Sequence, residues 1–256
     1  MVSAVSAILV TIFGLSVGSF LNVCIHRLPL RQSLMYPPSR CPRCETALKP
    51  YDNIPVVSYL VLRGRCRACG APISLRYPLI EVTTGAVFLA AYILFDGAIL
   101  YQRLLFACAM IVLFVIDLEH RILPDLITLP GIVLGFLFSF IMPPGWIDSL
   151  IGLILGGGSL WLMGEIYFRL RHEEGMGFGD VKMLAMIGAF LGWKLMLLTL
   201  ILSSFLGSGI GLGMIAARRG DMKYALPFGT FLAVGAIIAS VVGDRIVNWY
   251  ASFYNY

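Results

Sequence analysis

Two aspartates stand where an apolar chain does not ordinarily place a charge. Asp117 follows an almost unbroken apolar run in "FVIDLEHRILPDLITLPG" (114–131), and Asp180 closes "GMGFGD" (175–180) at the mouth of another. On insertion scales a carboxylate at the centre of a membrane helix costs about 2.5–3.5 kcal/mol, so one retained there marks a working site. Two carboxylates that share one proton can act as base and acid. One takes a proton from the water attacking a peptide carbonyl, and the other protonates the carbonyl oxygen. Asp180 stands at the start of its helix, where the dipole is positive, and is expected to be the resting base. Asp117, at a helix end, is expected to carry the proton, with the pair titrating as a unit. Gly177 and Gly179 lack a Cβ, so the backbone can turn sharply there and a substrate strand can come close to Asp180. Asp125, behind Pro124, fits both a supporting place in this site and a simple helix start.

The other acids have plainer explanations. Glu165 pairs with Arg169 one helical turn on, and Glu81 is expected to open the second apolar span and stabilise that helix start. His26, His120 and His172 form no His-Glu-x-x-His pair, which argues against a catalytic zinc protease. No serine is flanked as a nucleophile elbow.

A second constellation is "CPRC" (41–44) and "CRAC" (66–69), two Cys-x-x-Cys pairs separated by 21 residues. Such spacing matches a four-thiolate zinc site built from two knuckles, with Cys41, Cys44, Cys66 and Cys69 as ligands. Four sulfurs close the tetrahedron and leave no open position, so the zinc is expected to be structural. Gly70 suits the reversal after the second pair. Disulfides and a redox pair are the competing readings, and a basic cytoplasmic loop disfavours disulfides. The loop has few apolar residues of its own and is expected to need the metal to fold. Between the knuckles, "YDNIPVVSYLVLRGR" (51–65) predicts a short strand or hairpin.

The elements that must position these groups are membrane helices. Hydrophobic residues make up 59% of the chain and charged residues 13%, with a mean hydropathy of +0.89. The apolar runs are continuous and lack the alternation of a barrel, so the fold class is an all-α polytopic membrane protein. Eight spans are predicted, at 4–24, 79–95, 98–116, 125–142, 147–168, 181–193, 195–217 and 226–247. The sixth is short for a full crossing. No basic residue precedes the first, so it reads as a retained span rather than a signal peptide. "GSGIGLG" (207–213) lies inside an apolar span, and with Ser203 it follows small-xxx-small helix packing. Ser149, Gly152 and Gly156 repeat that pattern.

Sixteen of the nineteen lysines and arginines fall in the odd-to-even connections, nine of them between Arg27 and Arg76. Those connections are therefore expected in the cytoplasm and both termini outside. The net charge of +5 then reflects topology and contact with anionic lipid, and no nucleic-acid partner is implied. Both aspartates and the cysteine loop fall on the same, cytoplasmic, side.

These residues resemble the type IV prepilin peptidases, polytopic aspartyl proteases of the Gly-x-Gly-Asp kind. The resemblance runs along "GSFLNVCIHRLP" (18–29), the two Cys pairs with "NIPVVSYLVLRGRC" (53–66), "YPLIEVTTG" (77–85), "IDLEHRILPDLITLPG" (116–131), "GMGFGDVKMLAMIGAFLG" (175–192) and "LPFGTFLAVGA" (226–236). It implies that Asp117 and Asp180 are the catalytic pair. It also implies the substrates, inner-membrane precursors of type IV pilins and type II secretion pseudopilins, cut after a glycine at the cytoplasmic face. Members with the cysteine-containing domain also N-methylate the freed terminus, usually phenylalanine, using S-adenosylmethionine. The resemblance thus implies a bacterial inner-membrane enzyme. Its expected division is a first transmembrane helix at 1–25, a cytoplasmic zinc-binding insert at 26–78 and a seven-helix protease core at 79–256. Glu119, Glu173 and Glu174 are candidate neighbours for a basic leader. A proton-coupled transporter is the rival reading; it predicts carboxylates near the midplane and inverted repeats, and no clear repeat is seen.

Overall fold

A computed structural model describes residues 4–173, 177–217 and 226–253. Of the expectations above, Glu174 lies outside the described residues, as do Arg218, Arg219 and Lys223 among the basic residues counted for orientation. The described residues are helical, and their only extended pairings are two isolated bridges. The chain divides into two compact units, Met1–Val112 and Leu113–Tyr256.

The first unit holds α1 (Ala4–Arg27), a cysteine-bearing insert, α3 (Arg76–Leu94) and most of α4 (Gly97–His120). α1 packs against α3. Within the insert, both knuckles fold alike. The amide of Cys41 donates to Thr46 O at 3.0 Å and that of Cys66 to Ala71 O at 2.8 Å. Each turn closes with a left-handed residue after its second cysteine, Glu45 (φ 56°) and Gly70 (φ 69°). The bridges Arg40–Ala47 and Arg65–Pro72 seal the two turns.

No hairpin joins the knuckles among these residues, contrary to the expectation for 51–65. A 3₁₀ turn at Pro50–Asn53 and the short helix α2 (Val57–Val61) stand there instead. Pro50 and Pro55 each withhold an amide from any ladder, and Val56 takes φ 62°, which no strand accommodates. Asp52 holds the connection to the second knuckle through a two-pronged pair with Arg67, at 2.7 and 3.0 Å.

The second unit contains the end of α4, then α5 (Asp125–Phe138), α6 (Trp146–Arg171), α7 (Phe178–Ala216) and α8 (Phe228–Ser252). α7 packs against α5, α6 and α8 and forms the centre of the unit. It is two helices in series. At Gly192 the backbone turns to φ 77°, ψ 171°, a region open to glycine, and a Cβ there would lie 2.8 Å from Pro144 Cβ. Trp193 anchors the break by donating its indole N–H to Asp148 at 3.1 Å.

Counting that break, the eight predicted spans are all present as apolar helical segments. With α7 taken as one helix, six of the described helices are long and apolar enough to cross a membrane. α5 and the segment 178–191 are each only about 21 Å long at 1.5 Å per residue. In the latter, the run from Met183 to Gly192 is buried by protein. This explains how a segment too short for the bilayer is tolerated. The small-residue pattern of α6 serves that packing. Ser149 donates to Ala189 O at 2.7 Å, and Gly152 lies so close to α7 that a Cβ would meet Gly188 O at 2.5 Å. Ser203 likewise reaches Phe231 O on α8 at 3.0 Å.

Candidate active site

Asp117 occupies the last turn of α4. The helix ends there because Arg121 adopts a left-handed conformation (φ 56°) and returns its amide to Asp117 O at 2.8 Å. The side chain points inward, and the residue is only 5% exposed. Its Oδ2 accepts two hydrogen bonds from Thr230, one from the amide at 2.6 Å and one from the hydroxyl at 3.0 Å. Thr230 is the third residue of α8, behind Pro227 at the N-cap. Its amide is one of those a helix start cannot satisfy internally, and α8 offers it to the carboxylate. Gly229 forms the floor of this cradle. A Cβ on it would stand 3.0 Å from Asp117 Oδ2 and 3.0 Å from Leu123 Cδ1.

Asp180 is the third residue of α7 and is half-buried. Its amide donates to Gly177 O at 3.1 Å, closing the first turn. The two carboxylates lie within electrostatic reach of each other. Leu123 fills the space beside both acids. It lies 3.0 Å (Cβ) from the position of a Cβ on Gly179 and touches the cradle at Gly229.

The two motif glycines therefore do different things. Gly179 is bare so that Leu123 can pack on it. Gly177 has ordinary backbone angles (φ −71°), and among the described residues a Cβ there would meet only Asp180 Oδ2, at 3.5 Å. Its bare backbone thus lies directly beside the carboxylate.

An amide can only donate, so Oδ2 of Asp117 is an acceptor. A proton on Asp117, expected from its place at a helix end, has only Oδ1 to occupy. Asp125 opens α5 and forms an ion pair with Lys182, one helical half-turn beyond Asp180. Lys182 also lies over the Phe178 ring, 5.3 Å from its centre. Asp125 thus ties α5 to the start of α7.

The four cysteines converge in the first unit, their sulfurs all within 4.8 Å of one another. Cys41–Cys69 and Cys44–Cys66 are separated by 3.9 and 4.0 Å. A tetrahedral Zn–S₄ site with bonds near 2.3 Å has sulfurs about 3.8 Å apart, so the donor set and its spacing fit zinc. Without a metal the thiols compete for protons. The Thr46 hydroxyl and amide bring Cys44 down to about 6. The amides of Cys69 and Ala68 lower Cys66. At Cys69 the Ala71 amide pulls downward, but desolvation and the neighbouring thiols outweigh it and push the group up to about 11. A bound dication would end this competition by holding all four as thiolates.

Glu165 and Arg169 pair as expected, at 2.7 Å. Glu81 does not open its helix, since α3 begins at Arg76. Buried in the second turn, it accepts the Val56 amide from the insert at 2.7 Å.

Thr230, Gly229, Leu123 and Lys182 were not singled out from the sequence. Only "LPFGT" carried a usable sign, a proline immediately before a potential helix start with a glycine and a hydroxyl in its first turn.

Family comparisons agree with this arrangement of a multi-pass helical membrane protein. The Bacterial Peptidase A24 N-terminal domain matches residues 12–95, and the Type IV leader peptidase family matches residues 104–212. A protein of Aeromonas salmonicida named prepilin leader peptidase/N-methyltransferase is 39% identical, the alignment covering 95% of this chain and 93% of the relative. Relatives of the same name from Pseudomonas aeruginosa (36% identical; 94% and 92% covered) and Burkholderia pseudomallei (39%; 88% and 81%) match similarly. No solved structure gives a significant match. The chain belongs to the type IV leader peptidase family, and is an enzyme of that peptidase class.

Proposed function

We propose that this enzyme removes the basic leader from type IV prepilins and type II secretion pseudopilins, and then N-methylates the exposed residue, usually phenylalanine. The observation that carries the peptidase reading is the seat of Asp117. Its carboxylate is buried at a helix end, held by an amide and a hydroxyl, and within electrostatic reach of Asp180. A merely solvated helix-end acid would need no such cradle.

In the reaction, water between the two carboxylates gives a proton to the ionised one and attacks the scissile carbonyl. The other carboxyl protonates the carbonyl oxygen. Collapse of the tetrahedral species breaks the C–N bond, and the proton taken from water passes to the leaving amine. Thr230 keeps one oxygen of Asp117 fixed during these transfers, and the bare backbone of Gly177 lets an extended leader come close to Asp180. Asp125 supports the site by pinning the start of α7 through Lys182.

The sidedness follows from the arginines and lysines: a bacterial inner-membrane protein with periplasmic termini, its catalytic aspartates and zinc insert facing the cytoplasm. A pilin precursor presents its leader on that face. Residues 1–25 serve as the first membrane helix, 26–78 as the insert and 79–256 as the protease core. Zinc held by Cys41, Cys44, Cys66 and Cys69 locks the two knuckles together and takes no part in hydrolysis. S-adenosylmethionine supplies an electrophilic methyl group on a cationic sulfur.

The test is leader removal by purified enzyme. Asp117→Asn and Asp180→Asn should each lower cleavage by about 10²–10⁴-fold, the range for losing a general acid or base. Cleavage at the wild-type rate in both variants would refute the aspartyl mechanism.

A further inference from the structure

The first unit contains a cavity of about 1380 Å³ that plays no part in the peptidase site, lined by the inner ends of α1 and α3 and by the insert. Ligand pockets commonly measure about 300–1,000 Å³, so it can hold a cofactor-sized molecule with room to spare. Its polar floor is formed by Asn22 and Glu81, from two sequence blocks to which the hydrolytic reaction gives no work.

Asn22 is 3% exposed. Its Nδ2 donates to Tyr77 O at 3.1 Å and to Gly18 O at 3.3 Å, which fixes the amide's orientation. Its Oδ1 is buried without a partner. A buried acceptor left unmatched is costly, and a ligand donor is one way to match it. Glu81, 8% exposed, draws hydrogen bonds from the Val56 amide and the Ser19 hydroxyl, both neutral groups. A buried carboxylate with such partners is a good seat for a cation. The floor thus favours a ligand with positive charge and hydrogen-bond donors. Half-buried Tyr59 and Tyr77 add aromatic surface, while Arg40 and Arg43 give the rim a positive charge.

We infer that this cavity binds the methyl donor, with Asn22 Oδ1 and Glu81 receiving the cationic and hydrogen-donating parts of S-adenosylmethionine. Its sulfonium and ammonium groups suit Glu81, its ribose or amino donors suit Asn22, its adenine suits the tyrosines and its carboxylate suits the arginines. No glycine-rich nucleotide loop is needed. The inference rests on the proposed methyltransferase activity.

The experiment uses the full-length enzyme in detergent. In wild type, photolysis with 8-azido-S-adenosylmethionine should label peptides from 19–81, and S-adenosylmethionine should prevent it. Equilibrium binding of S-adenosylmethionine should weaken at least tenfold in Asn22→Leu. Glu81→Gln, which can still accept the Val56 amide, should weaken S-adenosylmethionine more than the uncharged-sulfur product S-adenosylhomocysteine. Leader cleavage should persist in both variants, reporting an intact fold. Labelling confined to residues outside 19–81 would overturn the inference, as would displacement of the label by a peptide bearing the mature pilin N-terminus. Wild-type enzyme that neither binds the donor nor methylates a cleaved pilin would remove the methyltransferase reading itself, and the inference with it.

Discussion

Thr230 meets Asp117 through two donors at once, its amide at 2.6 Å and its hydroxyl at 3.0 Å from the same carboxylate oxygen. The pair joins the end of one membrane helix to the start of another, 113 residues further along the chain. Under the proposed aspartyl mechanism this contact predetermines which oxygen of Asp117 is left for the reaction.

Removing the hydroxyl alone tests its positioning role. As Asp117 gives up its proton it becomes a carboxylate, and a hydrogen bond to a charged group is worth about 1.5–3 kcal/mol; the amide survives in Thr230→Val. We expect kcat for leader cleavage to fall about tenfold with KM little changed, since Thr230 is buried and its hydroxyl is spent on Asp117. Thr230→Ser restores the hydroxyl and should recover most of the rate. A fall shared equally by the valine and serine variants would show that only packing matters there.

The thiol cluster has a pH signature of its own. Thiolates are the reactive form, and in metal-stripped protein whose knuckles keep their fold Cys44 sits at about 6 and Cys69 at about 11. At pH 7, iodoacetamide should therefore modify Cys44 quickly and Cys69 slowly, as read by peptide mass spectrometry. Lowering the pH through about 6 should protonate Cys44 and slow its reaction. Reloading zinc should protect all four cysteines, with about one ion per chain by metal analysis. Equal rates at Cys44 and Cys69 would contradict this ordering.

Asp125 offers a contrast with Asp180. Its side chain is 58% exposed and its partner is Lys182, so the pair resembles a surface ion pair, worth about 0–1 kcal/mol. Asp125→Asn and Lys182→Met should each lower cleavage less than about fivefold. The double variant should be no worse than the poorer single one. Loss of activity in Asp125→Asn comparable to that in Asp180→Asn would instead make Asp125 part of the chemistry.

Much of this was legible in the sequence, for physical reasons that differ from one feature to the next. Apolar runs announce membrane helices because lipid imposes length and composition together. Even the break in α7 was marked, since "GWK" (192–194) interrupts an apolar stretch. Two Cys-x-x-Cys pairs can be read because metal geometry demands the spacing. Thr230 could not be read in this way. Its decisive donor is a backbone amide, common to nearly every residue, and it becomes available only where a helix begins beside Asp117. Lys182 and Asp125, 57 residues apart, were likewise invisible as a pair. The expected strand or hairpin at 51–65 is replaced by a 3₁₀ turn and a short helix, because Pro50 and Pro55 withhold amides and Val56 takes a positive φ.

Leu123 supplies the most discriminating substitution series. A Cβ on Gly229 would meet both Asp117 Oδ2 and Leu123 Cδ1 at 3.0 Å, whereas one on Gly179 would first meet Leu123, at 3.0 Å from its Cβ. Contacts that short force a neighbour to move. Gly229→Ala should push the carboxylate from its cradle and lower cleavage at least about tenfold, because a displacement of a few tenths of an ångström already weakens catalytic alignment. Gly179→Ala should displace the leucine, with a smaller loss. Trimming Leu123 to alanine removes the Cδ1 and Cγ contacts at 3.3 and 3.5 Å and leaves a Cβ that can shift more freely, so it should recover part of the activity of Gly179→Ala. It cannot rescue Gly229→Ala, whose clash with Asp117 persists. Gly177→Ala, which among the described residues meets only the Asp180 carboxylate at 3.5 Å, should fold normally and raise KM more than it lowers kcat, as a bare backbone there serving the approach of the leader requires. Steady-state cleavage kinetics across these five variants distinguish crowding of the acid from crowding of its neighbour. Equal rescue of both alanine variants by Leu123→Ala would mean that the bare backbone at Gly229 serves the leucine rather than the aspartate.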